Sequence, residues 1–299
     1  LMKVLSSIKA QTVDETLFET ILIDNNTPGG IKIPASAEVP GNFRVVTEPV
    51  PGLAYARLAG IREAKSDLII FADDDNVLSS VYIEESLKIA AQYNYLGAWG
   101  GKAIPVFAAT AEEWLDEFWG LIGCRDLGAE IKTTGYYKES LAPKIIKQYP
   151  DFAPIGTGMV IRKKAFLDYQ QDIMNDRARM NLGRRGKELT SGEDNDIVLS
   201  LLKKGWDIGY FPDLLVKHII PASRITKAYL GKMNHAQSKS WVQVLNFHSI
   251  QIWKPIPAFT VPFRKIKAFF TCKAWVSPSN YIKWRGACGM FDGLATMHI

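Results

Sequence analysis

Leu68, Ile69, Ile70, Phe71 and Ala72 run without a break into three consecutive carboxylates, Asp73, Asp74 and Asp75, followed by Asn76. The apolar residues can be buried in a sheet, but three clustered negative charges cannot share a core unless something neutralises them. A buried parallel strand whose carboxyl end opens onto a cation meets both demands, and in open α/β sheets that edge is where ligands bind. Hard divalent cations such as Mg2+ and Mn2+ take carboxylate and phosphate oxygens together. The triplet therefore points to a metal-held diphosphate. A solvated acidic turn before the next helix is the plainer alternative.

Strand and helix patterns alternate around this run. A helix over 1–11 is followed by an apolar strand over 19–24, which breaks at Asn25, Asn26, Thr27, Pro28, Gly29 and Gly30. A second strand is expected over 43–47, a helix over 53–65 opened by Gly52, and a helix over 81–92 capped by Ser79 or Ser80. Strands alternating with helices imply a parallel sheet covered on both faces. Further strands are expected over 96–104, 157–162, 208–211 and 214–218, with helices over 111–120 and 194–204. Residues 124–152 read as a long polar excursion, and 175–187 as a basic stretch containing Arg177, Arg179, Arg184, Arg185 and Lys187.

Composition limits the partners. A chain of 299 residues with 47% hydrophobic and 22% charged residues has ample material for a core, and a net charge of +5 is too small to argue for nucleic acid. Cys124, Cys272 and Cys288 show no paired zinc spacing and fit a reducing compartment. Neither a membrane span nor a signal peptide is expected from the pattern. From 241 to 299 seven Lys/Arg stand against one acid, Asp292, interleaved with aromatics such as Trp253, Phe263 and Trp275. That mixture suits a helical region lying on anionic lipid, or a helical extension packed on the main domain with a solvated basic face.

Several constellations carry chemistry. Asp24 closes one strand and Asp73, Asp74 and Asp75 close another, so both sit on one sheet edge, where carboxylates can bind a base or a ribose. Arg57, on a helix start rich in small residues, can reach a phosphate or base. Glu193, Asp194 and Asp196 cluster at the start of an apolar-periodic helix after Gly192. Capping accounts for one or two of them, and a carboxylate aimed into a cleft can serve as general base on an acceptor hydroxyl. His218 ends the strand over 214–218 and is a chemically reasonable further metal ligand. His235, His248 and His298 show no comparable setting.

In their order along the chain these residues resemble a family 2 glycosyltransferase of GT-A fold. The matching stretches are Ile23 to Thr27, Gly52 to Ile61, Ile70 to Asn76 and Gly192 to Asp194, and the resemblance covers residues 1 to about 230. It implies a mixed, mainly parallel α/β sheet flanked by helices over 1–222, with a basic, aromatic-rich helical extension over 223–299. It also implies that Asp24 contacts the nucleotide base, Arg57 the base or diphosphate and Asp73 the ribose, with Asp74 among the donor-binding residues. Asp75 would hold the divalent metal, with His218 beside it in some members. Asp194 would be the catalytic base, with Glu193 positioning the acceptor. Trp99, Gly100 and Gly101, and Gly156 to Met159, resemble the strands that build the acceptor side.

The activity so implied is inverting, Mn2+- or Mg2+-dependent transfer from a nucleotide-diphosphate sugar to a glycan or lipid-linked acceptor. It belongs to bacterial surface polysaccharide or glycan synthesis, in the cytoplasm or peripherally on the inner face of the cell membrane through 241–299, with no nucleic acid. Two departures stand out. Leu58 occupies a position where the family usually has Asn, and the family's opening strand has no counterpart, so the sequence is expected to have lost its beginning. Nucleotidyl transfer and a catalytically inactive nucleotide-sugar-binding partner subunit are the alternative functions.

Overall fold

Residues 1–134, 148–174, 176–184, 189–250 and 252–297 are described by a computed structural model. In chain order come helix α1 (Met2–Lys9), strands β1 (Thr20–Asp24) and β2 (Phe43–Thr47), helix α2 (Leu53–Glu63), strands β3 (Leu68–Ile70) and β4 (Asn76–Leu78), helix α3 (Tyr82–Gln92) and strand β5 (Leu96–Phe107). After a 3-10 segment at Glu113–Ile122 follow β6 (Lys132–Thr133), β7 (Val160–Arg162), α4 (Lys163–Ile173), the short α5 (Arg177–Met180), α6 (Glu193–Lys203) and β8 (Asp207–Ile220). Three helices end the chain: α7 (Lys227–Phe247), α8 (Val261–Thr271) and α9 (Pro278–Ala295).

The expected α/β class holds, with a mixed sheet, flanking helices and a C-terminal helical region. The main sheet runs β3-β7-β5-β8-β4, with β6 added against β8. Its longest ladder, β5 on β8, is parallel. Its remaining ladders are antiparallel. The sheet is thus less parallel than the strand–helix alternation implied, because an apolar run reports burial and is silent on strand direction. The strands expected at 208–211 and 214–218 are one strand, β8. Residues 211–214 bulge between its two registers with β5, which absorbs the break that Pro212 and Asp213 suggest.

β1 and β2 form a separate parallel pair. Neither β1 nor β3 has a second strand neighbour among the described residues, and both line one large cavity together with Leu1 and Leu5 of the first helix region. The first helix also closes α3, though not through the serines expected to cap it. The Gln11 Oε1 accepts from the Ile83 N–H at 2.9 Å, while its Nε2 donates to the Ser7 and Ser79 carbonyls. Position Val81 makes no side-chain cap.

Two apolar clusters sandwich the sheet. One joins α4, α6 and α7 through Phe166, Ile197, Leu201 and Val244, and the other joins α3 to β5 and β8 through Tyr82, Trp99 and Phe211. A third, with Phe118, Ile122, Leu230 and Ile282, fastens the C-terminal helices to the 3-10 segment. α9 lies close on α7: a Cβ at Gly289 would stand 2.0 Å from the His235 carbonyl oxygen. No helix among the described residues is long and apolar enough to cross a membrane.

Candidate active site

The acidic triplet leaves β3 and turns at once into β4, and sheet register fixes what it meets. Asn76 is the partner of His218 in the β4–β8 ladder, and the Ile219 N–H donates to the Asp75 carbonyl at 2.9 Å. Asp75 is thereby set beside His218, whose Nε2 lies 3.2 Å from its Oδ1. Arg224, from the turn after β8, donates to Oδ2 at 3.0 Å. The fully buried Asn76 ties the loop: its Oδ1 accepts from the Asp73 N–H and its Nδ2 donates to Asp75. Burial would raise the Asp75 carboxyl, but His218 and Arg224 outweigh it and hold the group below the ordinary carboxylate range. Behind the imidazole, Cys124 Sγ sits 3.7 Å from Nδ1, and burial pushes that thiol up to about 12.

The second acidic group starts α6. Arg57, buried on α2, lies 2.6 Å from Asp194 Oδ1 and 3.2 Å from Glu193 Oε1, with its guanidinium 5.0 Å from the Phe71 ring centre. The other Asp194 oxygen accepts from the Gly156 N–H at 2.9 Å. Asp194 is thus gripped on both oxygens while its side chain stays 31% exposed to the cavity. Glu193 is 3% exposed, and its Oε2 has no hydrogen-bond partner among the described residues. Burial, opposed by Arg57 and reinforced by Asp194, pushes its carboxyl up to about 7. Asp73 links the groups: burial raises it, Arg57 pulls against that, and both Asp75 and Asp194 push it higher. The same acids hold Arg57 more firmly protonated than usual despite its burial.

Asp73, Asp74, Asp75, Arg57, Glu193, Asp194 and His218 all line one cavity of about 960 Å3. The sequence separated these residues by more than a hundred positions, and the fold brings them together. Asp24 is placed differently. Its carboxylate turns back to accept from the Thr27 and Ile31 N–H groups, which holds it below the ordinary range, and its neighbour Asn25 reaches the cavity instead. Arg57, expected at a phosphate or base, has its guanidinium engaged by the two acids of α6.

No group of three His, Cys, Asp or Glu among the described residues is arranged to hold a metal ion by itself. The donor set around Asp75 nevertheless suits a cation shared with a ligand: hard divalent ions keep one or two carboxylates and complete their shell with water and phosphate oxygens. Arg224 and His218 now occupy the Asp75 oxygens, so a cation arriving there would compete with Arg224.

Some expectations need correction. Asp196 is not part of the site. It is fully buried and bound by Arg179 and by His248, whose Nε2 is 2.7 Å from its Oδ1. Arg179 belongs to the basic stretch over 175–187, so one of those cations is structural; Asn175, Arg185 and Lys187 lie outside the described residues. His248, given no setting in the sequence, is therefore the hydrogen-bond partner of a buried carboxylate, and His235 lies 2.7 Å from Asp292. His298 and much of the 124–152 excursion also lie outside the described residues. Sequence reasoning missed Arg224, Cys124 beside His218, and the α7 residues Gln237 and Trp241 that line the cavity. None carries a local signal, because each enters through register or helix packing.

A family model described as Glycosyl transferase family 2 matches residues 1–169. No curated protein matches the chain. Among solved structures, the chain is similar to residues 1–349 of S. aureus TarS at 11% identity, covering 97% of this chain and 84% of that one with a TM-score of 0.46. A longer S. aureus TarS structure matches at 12% identity over 98% of this chain and 51% of its own, TM-score 0.44. TarS 1–349 in complex with UDP matches at 12% over 97% and 84%, TM-score 0.42.

Proposed function

Because the chain belongs to glycosyl transferase family 2, we propose that it is an inverting, metal-dependent glycosyltransferase drawing on a nucleotide-diphosphate sugar. The observation that carries this reading is the meeting of two acidic groups on one cavity, Asp75 with His218 and Arg224 at one side and Asp194 with Glu193 and Arg57 at the other. The first group suits a donor diphosphate and the second an acceptor. Asp73 and Asp74 line the donor side, where Asp73 is proposed to meet the ribose. Asp24 is proposed to serve the base through the loop it ties down. Arg57 is proposed to support the donor from behind the acid pair.

Asp194 takes the proton of the acceptor hydroxyl as that oxygen attacks the anomeric carbon. The new C–O bond forms as the bond to the diphosphate breaks, and its electron pair leaves with the nucleoside diphosphate. Arg57 and the Gly156 N–H fix the Asp194 carboxylate for this task, and general-base help of this kind is worth about 10²–10⁴-fold. Glu193, at the cavity wall beside Arg57, is proposed to position the acceptor. Asp75, with His218 beside it, would hold a divalent cation, which when bound offsets charge on the leaving diphosphate as a Lewis acid. The acceptor is proposed to be a glycan or lipid-linked hydroxyl in surface polysaccharide synthesis. In this reading 1–222 is the transferase domain, and 223–299 is a helical extension that keeps the protein peripherally at the inner face of the membrane.

Asp75→Ala and Asp194→Asn test the division of labour. Each should nearly abolish transfer, while calorimetric titration with nucleotide sugar and Mn2+ should show donor binding surviving in Asp194→Asn and lost in Asp75→Ala. Equal loss of donor binding in both would overturn the assignment.

A further inference from the structure

The last three helices are strongly polarised in charge. From 214 onward the chain carries twelve Lys/Arg and one acid, Asp292. Asp292 faces inward, where His235 and Lys265 hold it at 2.7 Å. Between 214 and 291 there is no carboxylate side chain at all.

Within this basic region one face is apolar and open. Phe259, Phe263, Ile266 and Phe270 follow the 4-3-4 spacing that keeps side chains on one helical stripe. They are 77%, 72%, 59% and 62% exposed, and Trp275 and Val276 extend the stripe past the end of α8 at 59% and 61%. The opposite side of α8 is firmly seated. Val261 and Ala268 are buried, Phe269 packs edge-on against Trp284 at 5.2 Å, and the Trp284 indole N–H donates to the Lys265 carbonyl. The Phe270 and Trp275 ring centres are 5.8 Å apart, so the stripe on α8 runs on into the segment after it. Arg264, Lys267 and Lys273 are exposed around it.

We propose that this face of α8 docks on an anionic lipid surface. Apolar and aromatic side chains sink to the headgroup boundary while the flanking cations meet lipid phosphates, the arrangement by which amphipathic helices lie in an interface. The absence of any acid from α8 and from the segments flanking it, 214–291, favours a uniformly negative surface over a protein partner of mixed charge. The proposal refines the peripheral membrane contact read above and is independent of the donor chemistry.

Co-sedimentation with phosphatidylcholine vesicles, with and without phosphatidylglycerol, tests it. The full chain should bind the anionic vesicles, far more weakly the neutral ones, and lose binding at high salt. Phe263→Ser with Phe270→Ser should weaken vesicle binding by about a hundredfold, and Arg264→Gln or Lys267→Gln by about fivefold each. All four side chains are exposed, so thermal unfolding should be unchanged. Nucleoside-diphosphate release in vesicle-free solution should also persist, which separates failure of this proposal from failure of the transferase reading. No binding of the wild-type chain to anionic vesicles would overturn the proposal, as would binding indifferent to salt and to the double substitution. A concentration-dependent dimer, seen by light scattering and abolished by the double substitution, would assign the face to a second copy instead.

Discussion

A single added methyl group at Gly156 should uncouple the proposed catalytic pair while leaving the fold in place. A Cβ there would stand 2.6 Å from Asp194 Oδ2 and 2.6 Å from Arg57 Nη2. Carbon sits comfortably at about 3.5 Å or more from such atoms, so both side chains must retreat by roughly 1 Å. They have little room, since Arg57 is 5% exposed and is pinned by Glu193 and Asp194 in a contact of 2.6 Å. Displacement of a catalytic group by about 1 Å costs on the order of 10²-fold in rate. Overpacking costs about 1–3 kcal/mol of stability, less than most folds possess. Gly156→Ala should therefore release nucleoside diphosphate about a hundredfold more slowly, with donor affinity nearly intact and an unfolding midpoint lowered by a few degrees. Gly120→Ala, where a Cβ meets nothing within 4 Å, should behave as wild type. Full turnover in Gly156→Ala would refute the placement of Asp194, as would loss of turnover only where the protein has unfolded.

Glu193 gives a pH signature. Its carboxyl is raised from 4.5 to about 7, so between those values the folded chain holds a proton that the unfolded chain has lost. Its contribution is full below pH 4.5 and falls as pH rises through 7, by up to about 3 kcal/mol. Glu193→Gln, which cannot ionise, should gain on wild type in unfolding temperature across that window and run parallel to it outside; curves parallel throughout would contradict the buried, proton-holding state. Asp196→Ala strands Arg179 and His248 and should cost about 3–5 kcal/mol in a urea titration. An unchanged midpoint would show that this buried cluster does not support the fold.

Strands and helices were largely legible because burial imposes periodicity. The run over 43–47 became β2 with the same limits, and the acidic helix start fell within one residue of α6. The site's acids were legible too, since charge at the end of an apolar run has few explanations. Strand direction was not, because β3 and β7 are short apolar segments whose pairing depends on partners far along the chain. The partners of the acids were equally hidden. Nothing around Arg224 predicts a bond to Asp75, and Asp196 looks like its neighbour Asp194 until α6 turns one toward the cavity and the other toward Arg179 and His248. Helix periodicity separates residues two apart by about 200°, which a string of acids conceals.

Sugar transfer at the cavity where Asp75 and Asp194 meet leaves a distinctive pair of products. Its most direct test is product analysis after incubating the chain with a panel of nucleotide sugars, Mn2+ or Mg2+, and a glycan or lipid-linked acceptor. A nucleoside diphosphate and a glycosylated acceptor of inverted anomeric configuration should form, both absent with Asp194→Asn. Pyrophosphate as the product, or a retained anomeric configuration, would contradict it.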